Sequence, residues 1–201
     1  MKPRFFYTTQ IKGSMEIKSR LRENYQLSDT SLQLILEKME RITYLKKEIV
    51  VREGERDHYI YFVEQGSIRG YSFRNGKQVT LSFAFEGDMA ATVPGYSNNT
   101  ISKRTLETLE NSVLMKIPRK EMALLFSHSI ELANWGRLLV EKNLLEYEHY
   151  FLDYFWTDKK TQYLKFIKEY PQLLQRVSLK EIASYLNITP QTLSRIRAHI
   201  S

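Results

Sequence analysis

The stretch "YIYFVEQGSIRGYSFRNGKQVTLSFAF", Tyr59 to Phe85, is written in β-prone residues and is interrupted only where a chain must turn. Tyr, Phe, Ile, Val and Thr suit a pleated, half-buried surface, while Gly66 and "RNGK" (Arg74 to Lys77) punctuate the run. Asn-Gly accepts the positive φ values of a two-residue turn, so Arg74 to Lys77 is the strongest hairpin signal in the chain. The same spelling continues outward, through "EIVVREGE" (48–55) and "ITYL" (42–45) on one side and "RTLETLE" (104–110) and "SVLMKI" (112–117) on the other. Short strands between turn residues predict an antiparallel β roll, of the double-stranded β-helix or jelly-roll type, within an α+β chain.

Beyond the roll the pattern turns helical on both sides. Glu16 to Glu37, with "SLQLILEKM" at helical spacing, predicts a helical start. After Pro118, Lys120 to about Trp156 predicts a short helix leading into a long one that no proline interrupts. On the long helix Val140, Leu144, Tyr147, Phe151 and Tyr154 follow a four–three spacing. Leu138, Leu145 and Leu152 form a second line roughly 140° further around a helix of ~3.6 residues per turn. Two apolar stripes require two partners. The expectation is that one packs on the roll and that the Val140 line packs on the same helix of a second copy, giving a two-fold homodimer. The aromatic-rich "EYEHYFLDYFW" (146–156) marks the hinge to a final domain.

That domain ends in "VSLKEIASYLNITPQTLSRIRAHIS", Val177 to Ser201. Ser178 with Glu181 spells a capping box, and Ile182, Ala183, Tyr185 and Leu186 give the helix it opens an apolar side. Asn187 stands where a short turn needs a left-handed residue, and Thr189 with Pro190 supplies a second N-cap and a proline at the first helical position. On the second helix Leu193, Ile196 and Ile200 are expected inward, with Gln191, Thr192, Ser194, Arg195 and Ala198 outward and Arg197 to one side. A short helix, a tight turn and a second helix with a polar, arginine-bearing face predict a helix-turn-helix whose second helix enters the DNA major groove. Arg can bond a guanine edge bidentately and Gln an adenine edge. The candidate DNA-binding residues are Lys180, Thr189, Pro190, Gln191, Thr192, Ser194, Arg195 and Arg197.

Charge supports this reading. Thirty Lys and Arg stand against twenty-three Asp and Glu, for a net +7 over 201 residues. Residues 157–201 hold eight basic side chains and three acidic ones, so the excess is concentrated there, where a phosphate-binding surface would use it. The chain has no cysteine, which excludes disulfides, thiolate zinc sites, iron–sulfur clusters and thiol redox sensing. His58, His128, His149 and His199 are scattered without metal-ligand spacing, and neither a nucleophile motif nor a glycine-rich phosphate loop is spelled, so an enzyme is not expected. With no apolar run near ~20 residues and no signal-peptide pattern at the start, no membrane partner is expected and the protein is placed in the cytoplasm.

A β roll, a long helix and a terminal helix-turn-helix, in that order, resemble the CRP/FNR family of bacterial transcription regulators over roughly residues 25–201. The resemblance is carried by "EGE" (53–55), "YIYFVEQGSIRGY" (59–71), "EGDM" (86–89) and "KEIASYLNITPQTLSRI" (180–196). It implies an N-terminal extension (1–24), a cyclic-nucleotide-binding-like roll (25–128), a dimerisation helix with hinge (129–156) and a helix-turn-helix domain (157–201). It also implies double-stranded DNA and a second copy as partners, with RNA polymerase as a further one. It places Pro190, Gln191 and Arg195 where such regulators touch bases, and of these only Arg195 keeps the usual residue. Because the sequence stops at Ser201, most or all of the β wing that follows the second helix in relatives is expected to be missing. Nucleotide-binding relatives hold the ribose with a Glu four residues after the Asp of the "GD" pair, and the cyclic phosphate with an Arg and a small hydroxyl residue. Here the first position is Thr92 and the Arg position falls near Ser102, with Lys103 and Arg104 just after it. Thr92, Ser102, Lys103 and Arg104 are therefore a candidate effector pocket in which cyclic AMP is not the expected ligand, and no cofactor is expected. The alternative function is a ligand-binding or protein-interaction module that keeps a vestigial helix pair and works without DNA.

Overall fold

In the computed structural model, which describes residues 17–25, 27–91, 101–171 and 173–200, two helices precede the strands. They are α1 (Ile17–Tyr25) and α2 (Asp29–Leu36). The strands follow as β1 (Glu40–Tyr44), β2 (Ile49–Val51), β3 (Tyr59–Gln65), β4 (Ile68–Arg74), β5 (Lys77–Ala84), β6 (Met89–Ala90), β7 (Thr105–Thr108) and β8 (Ser112–Pro118). Six helices close the chain: α3 (Arg119–His128), α4 (Ile130–Trp156), α5 (Lys159–Glu169), α6 (Leu173–Arg176), α7 (Leu179–Tyr185) and α8 (Pro190–Ala198). The strands form two antiparallel sheets, ordered β1-β8-β3-β6 and β2-β7-β4-β5. The predicted hairpin is present, with Arg74 paired to Lys77 and positive φ at Asn75 (51°) and Gly76 (74°).

Strand alternation sorts the apolar residues into three layers. Between the sheets lie Val51, Tyr61, Val63, Ile68, Leu106 and Leu114. The opposite face of β3 and β8, with Ile60, Phe62 and Ile117, is covered by Leu21 and Leu32 of the first two helices and by Met122, Leu132 and Trp135 of α3 and α4. Trp135 stacks on Phe62 with ring centroids 6.1 Å apart. On the second sheet Phe83 and Phe85, either side of the inward Ala84, and the nearby Leu109 pack with Tyr163, Phe166, Leu173 and Tyr185 of the terminal helices. Because β3 is covered on both faces, its apolar residues run almost without a break.

The predicted elements are present, with three adjustments. The helical start is two helices rather than one, because Ser28 caps a new helix by accepting from the Ser31 amide; Glu16 lies outside the described residues. Strand β6 is two residues long, too short to carry a periodicity. The expected short helix leading into a long one is present as α3 and α4, divided at Ser129, which caps α4 at the Leu132 amide. The third adjustment corrects the two-stripe expectation for α4. The line buried against the roll is Leu132, Trp135 and Leu139, continued by half-buried Asn143 and Tyr150. Leu138 and Leu145 are 37% and 48% exposed, so they do not form the roll-facing stripe. Leu139 directly precedes Val140, ~100° away around the helix, and Asn143 and Tyr150 are too polar for an apolar-spacing count to include. Gly136 lets α4 meet α3 closely: a Cβ there would stand 2.6 Å from the Phe126 ring.

Candidate nucleic-acid interface and the roll that carries it

Helices α7 and α8 form where their caps place them. Ser178 accepts from the Glu181 amide while the Glu181 carboxylate accepts from the Ser178 amide, completing the capping box. Asn187 turns the chain at φ 54°, and Thr189 caps α8 at the Thr192 amide ahead of Pro190. Leu193 is fully buried against Ile182, Ala183 and Leu186, which orients α8. Pro190, Gln191, Ser194, Arg195 and Arg197 are exposed, as are Thr189 and Lys180, while Thr192 is half-buried beside the cap. Arg195 has no ion-pair partner among the described residues, so its guanidinium is available to a ligand. One inward expectation fails: α8 ends at Ala198, and Ile200 beyond it is exposed.

The α4 line predicted for a second copy lies open on the single chain: Val140, Leu144, Tyr147, Phe151 and Tyr154 are all exposed, Leu144 at 65% and Phe151 at 61%. Its start continues into a shallow apolar groove lined by Phe126, Ala133, Gly136, Val140 and Leu144. Tyr154 also serves the helix pair, since its hydroxyl accepts from the Asn187 side chain at 3.3 Å.

Of the effector candidates, the structure describes the three consecutive residues Ser102, Lys103 and Arg104. Thr92 lies outside the described residues. Ser102 is buried, and its hydroxyl is engaged by Arg104, donating to that residue's carbonyl and accepting from its amide. Lys103 is exposed. Arg104 passes Gly70, where a Cβ would lie 3.3 Å from its Cδ, and donates to the Tyr147 hydroxyl of α4 at 2.8 Å. The guanidinium thus links the roll to the long helix.

Sequence reasoning missed how the terminal helices sit on the roll. Ser184 of α7 donates to the Gln78 carbonyl and accepts from the Thr80 amide, both at 3.0 Å. Lys47 Nζ lies 2.5 Å from Glu181 and 3.2 Å from Glu107, whose other oxygen is 3.0 Å from Arg69. Arg176 holds Glu86 through both terminal nitrogens, at 2.7 and 2.8 Å, and reaches Glu110 at 2.6 Å. Burial alone would raise the Glu181 and Glu86 carboxyls, but the hydrogen bonds from Lys47 and Ser178 to the first and from Arg176 to the second hold both below the usual carboxylate range. Lys47 and Glu181 are 134 residues apart, and neither carries a local pattern that announces the other.

Residues 41–129 match the cyclic nucleotide-binding domain family. None of the curated proteins matches the chain in sequence. Among solved structures, FixK2 from Bradyrhizobium japonicum superposes with a TM-score of 0.71 at 19% identity, over 81% of this chain and 84% of that one. The c-di-GMP responsive global regulator CLP from Xanthomonas campestris does so with 0.70 at 15% identity, over 86% and 91%. A protein from Eubacterium rectale assigned to the CRP/FNR family of transcriptional regulators gives 0.68 at 17% identity, over 89% and 85%. The resemblance read from the sequence is borne out at the level of the fold, with a roll, a long helix and a terminal helix pair in the same order: this chain has the fold of the CRP/FNR regulators, and its roll is the part that matches the cyclic nucleotide-binding domain family.

Proposed function

We propose that this protein is a homodimeric, sequence-specific DNA-binding transcription regulator. The observation that carries the reading is the outer face of α8, where Gln191, Ser194 and Arg195 stand exposed on a helix that Leu193 pins from beneath. Those side chains can bond base edges, and the neighbouring Lys180 and Arg197 supply charge for backbone phosphates. The concentration of basic residues after residue 157 favours this over an interaction module that works without DNA. Two copies joined along α4 present two reading helices related by a two-fold axis. Selection of bound sequences from random DNA should therefore return a near-palindrome whose half-sites lie one helical turn apart, ~10 base pairs. A bound pool without two-fold symmetry contradicts the dimeric reading, and no enrichment at all contradicts DNA recognition.

In the same proposal the roll does not respond to cyclic AMP. Ser102 is occupied by Arg104, and Arg104 by Tyr147, so the cation and the hydroxyl nearest the phosphate position already have partners. A phosphate without its bidentate arginine loses charge-assisted bonds worth about 1.5–3 kcal/mol each. Two such losses move a micromolar ligand toward the millimolar range, at ~1.4 kcal/mol per decade. Calorimetry with cyclic AMP and cyclic GMP should show no saturable binding below ~100 μM (about 5.5 kcal/mol). Tight binding of either, with improved DNA affinity, would mean that the pocket opens to accept it.

A further inference from the structure

We propose that the Arg104 guanidinium, held against Tyr147 at the border of the α4 stripe, is completed across the dimer seam by Glu148 of the partner subunit, and that the two symmetric ion pairs select parallel α4 helices. The proposal rests on the homodimeric reading above and adds the contact that orients the two copies.

Placement around α4 carries the argument. At ~100° per residue, Val140, Leu144, Tyr147, Phe151 and Tyr154 centre on one direction, and the roll-facing Leu132, Trp135 and Leu139 stand ~100° to one side of it. Tyr147 lies ~20° to that same side, where Arg104 reaches it from the roll and donates to its hydroxyl at 2.8 Å. Glu148 stands ~80° to the opposite side and is exposed. In parallel helices related by a two-fold axis, the roll-side flank of each copy faces the far flank of the other, as the e and g positions of a coiled coil do. Arg104 of one copy is thereby brought to Glu148 of the partner subunit.

Both charges are unspent within one chain. A guanidinium has five N–H donors, and beyond the Tyr147 hydroxyl Arg104 has no ion-pair partner among the described residues. Glu148 has none among them either, whereas Glu141 on the same flank is taken by Arg137 at 2.6 Å. Arg104 is also fixed in place: its stem passes the notch at Gly70, and the Ser102 hydroxyl bonds its amide and its carbonyl. Covering Leu144 and Phe151, 65% and 61% exposed, strips water from this half-buried cation as well, and a desolvated cation needs a carboxylate. Antiparallel helices would set the two roll-side flanks together, Arg104 against Arg104. The parallel arrangement joins opposite charges and puts both terminal helix pairs at one end, where a single DNA duplex can meet both.

The test is charge exchange in the full-length chain. Arg104→Glu and Glu148→Lys each set like charges at both contacts, so each homodimer should dissociate on the order of tenfold more readily than the parent. Mixed together, the two variants form a heterodimer with opposite charges at both contacts. Native mass spectrometry of the mixture, one chain carrying a mass tag, should find heterodimer well above the half expected from random pairing. Raising the salt should shrink that excess, and the chain carrying both substitutions should dimerise better than either single variant. If Arg104→Glu fails to fold, Arg104→Ala replaces it in a double-mutant cycle: Glu148→Lys weakens the parent dimer and leaves the Arg104→Ala dimer as it was. Heterodimer at the random half, or equal weakening by Glu148→Lys in both backgrounds, overturns the ion pair alone. A parent that is monomeric at tens of micromolar overturns the homodimeric reading and the ion pair with it, so the two failures are told apart.

Discussion

Leu144→Glu with Phe151→Glu should leave the protein monomeric at concentrations where the parent is a dimer. Both side chains are mostly exposed on the protomer, so the substitutions remove nothing from its core, and the far-ultraviolet circular dichroism of the monomer should match the parent. In a two-fold interface each substitution counts twice. Burying a large apolar side chain is worth roughly 1.5–3 kcal/mol, so removing two of them from each copy forfeits on the order of 6–12 kcal/mol before any penalty for burying carboxylates. Micromolar association amounts to only ~8 kcal/mol, so the dimer should not survive. Light scattering at tens of micromolar reads the outcome directly. A parent that is monomeric there would remove the dimer from the proposal, and with it the symmetric binding site.

The second large effect falls on DNA. Arg195→Ala should weaken the selected site by about 1–3 kcal/mol per half-site, roughly 5- to 150-fold, and relax the preference at one base pair. The substitution lies on the exposed face of α8 and leaves the Leu193 packing and the Thr189 cap untouched. Lys180→Ala, at the start of α7, should instead weaken specific and random DNA alike and flatten the salt dependence, because a phosphate contact carries no sequence information. Titration of both variants against the selected site and a scrambled one separates the two roles. Equal losses on both DNAs for Arg195→Ala would reassign that residue from base to backbone.

The helix pair was legible in the sequence almost residue by residue. Its caps and turn depend on local chemistry: a serine three residues before a glutamate, an asparagine that tolerates a positive φ, and a proline where a helix has no amide to bond. Ile200 was misplaced because periodicity carries on past a helix end that the backbone does not. The bonds between the Ser102 hydroxyl and the Arg104 backbone follow from the local fold of the loop, and no spacing in the sequence announces them.

By itself, the sequence determined the antiparallel roll, the Asn-Gly hairpin, the long helix and the capped terminal pair, because each rests on interactions within a few residues or on a periodicity that neighbours share. Only the tertiary structure decided which side of α4 meets the roll, and that Lys47, Glu107 and Glu181 form one ionic cluster. A helix of twenty-seven residues with apolar side chains on several lines can be buried along any of them, and the shape of the roll chooses the one headed by Leu132, Trp135 and Leu139. A lysine in a turn and a glutamate in a capping box read as ordinary surface residues until the packing of Phe83 and Phe85 on the terminal helices brings them within 2.5 Å. Ionic attraction has no sequence period, so its partners are chosen by the apolar contacts that carry them together.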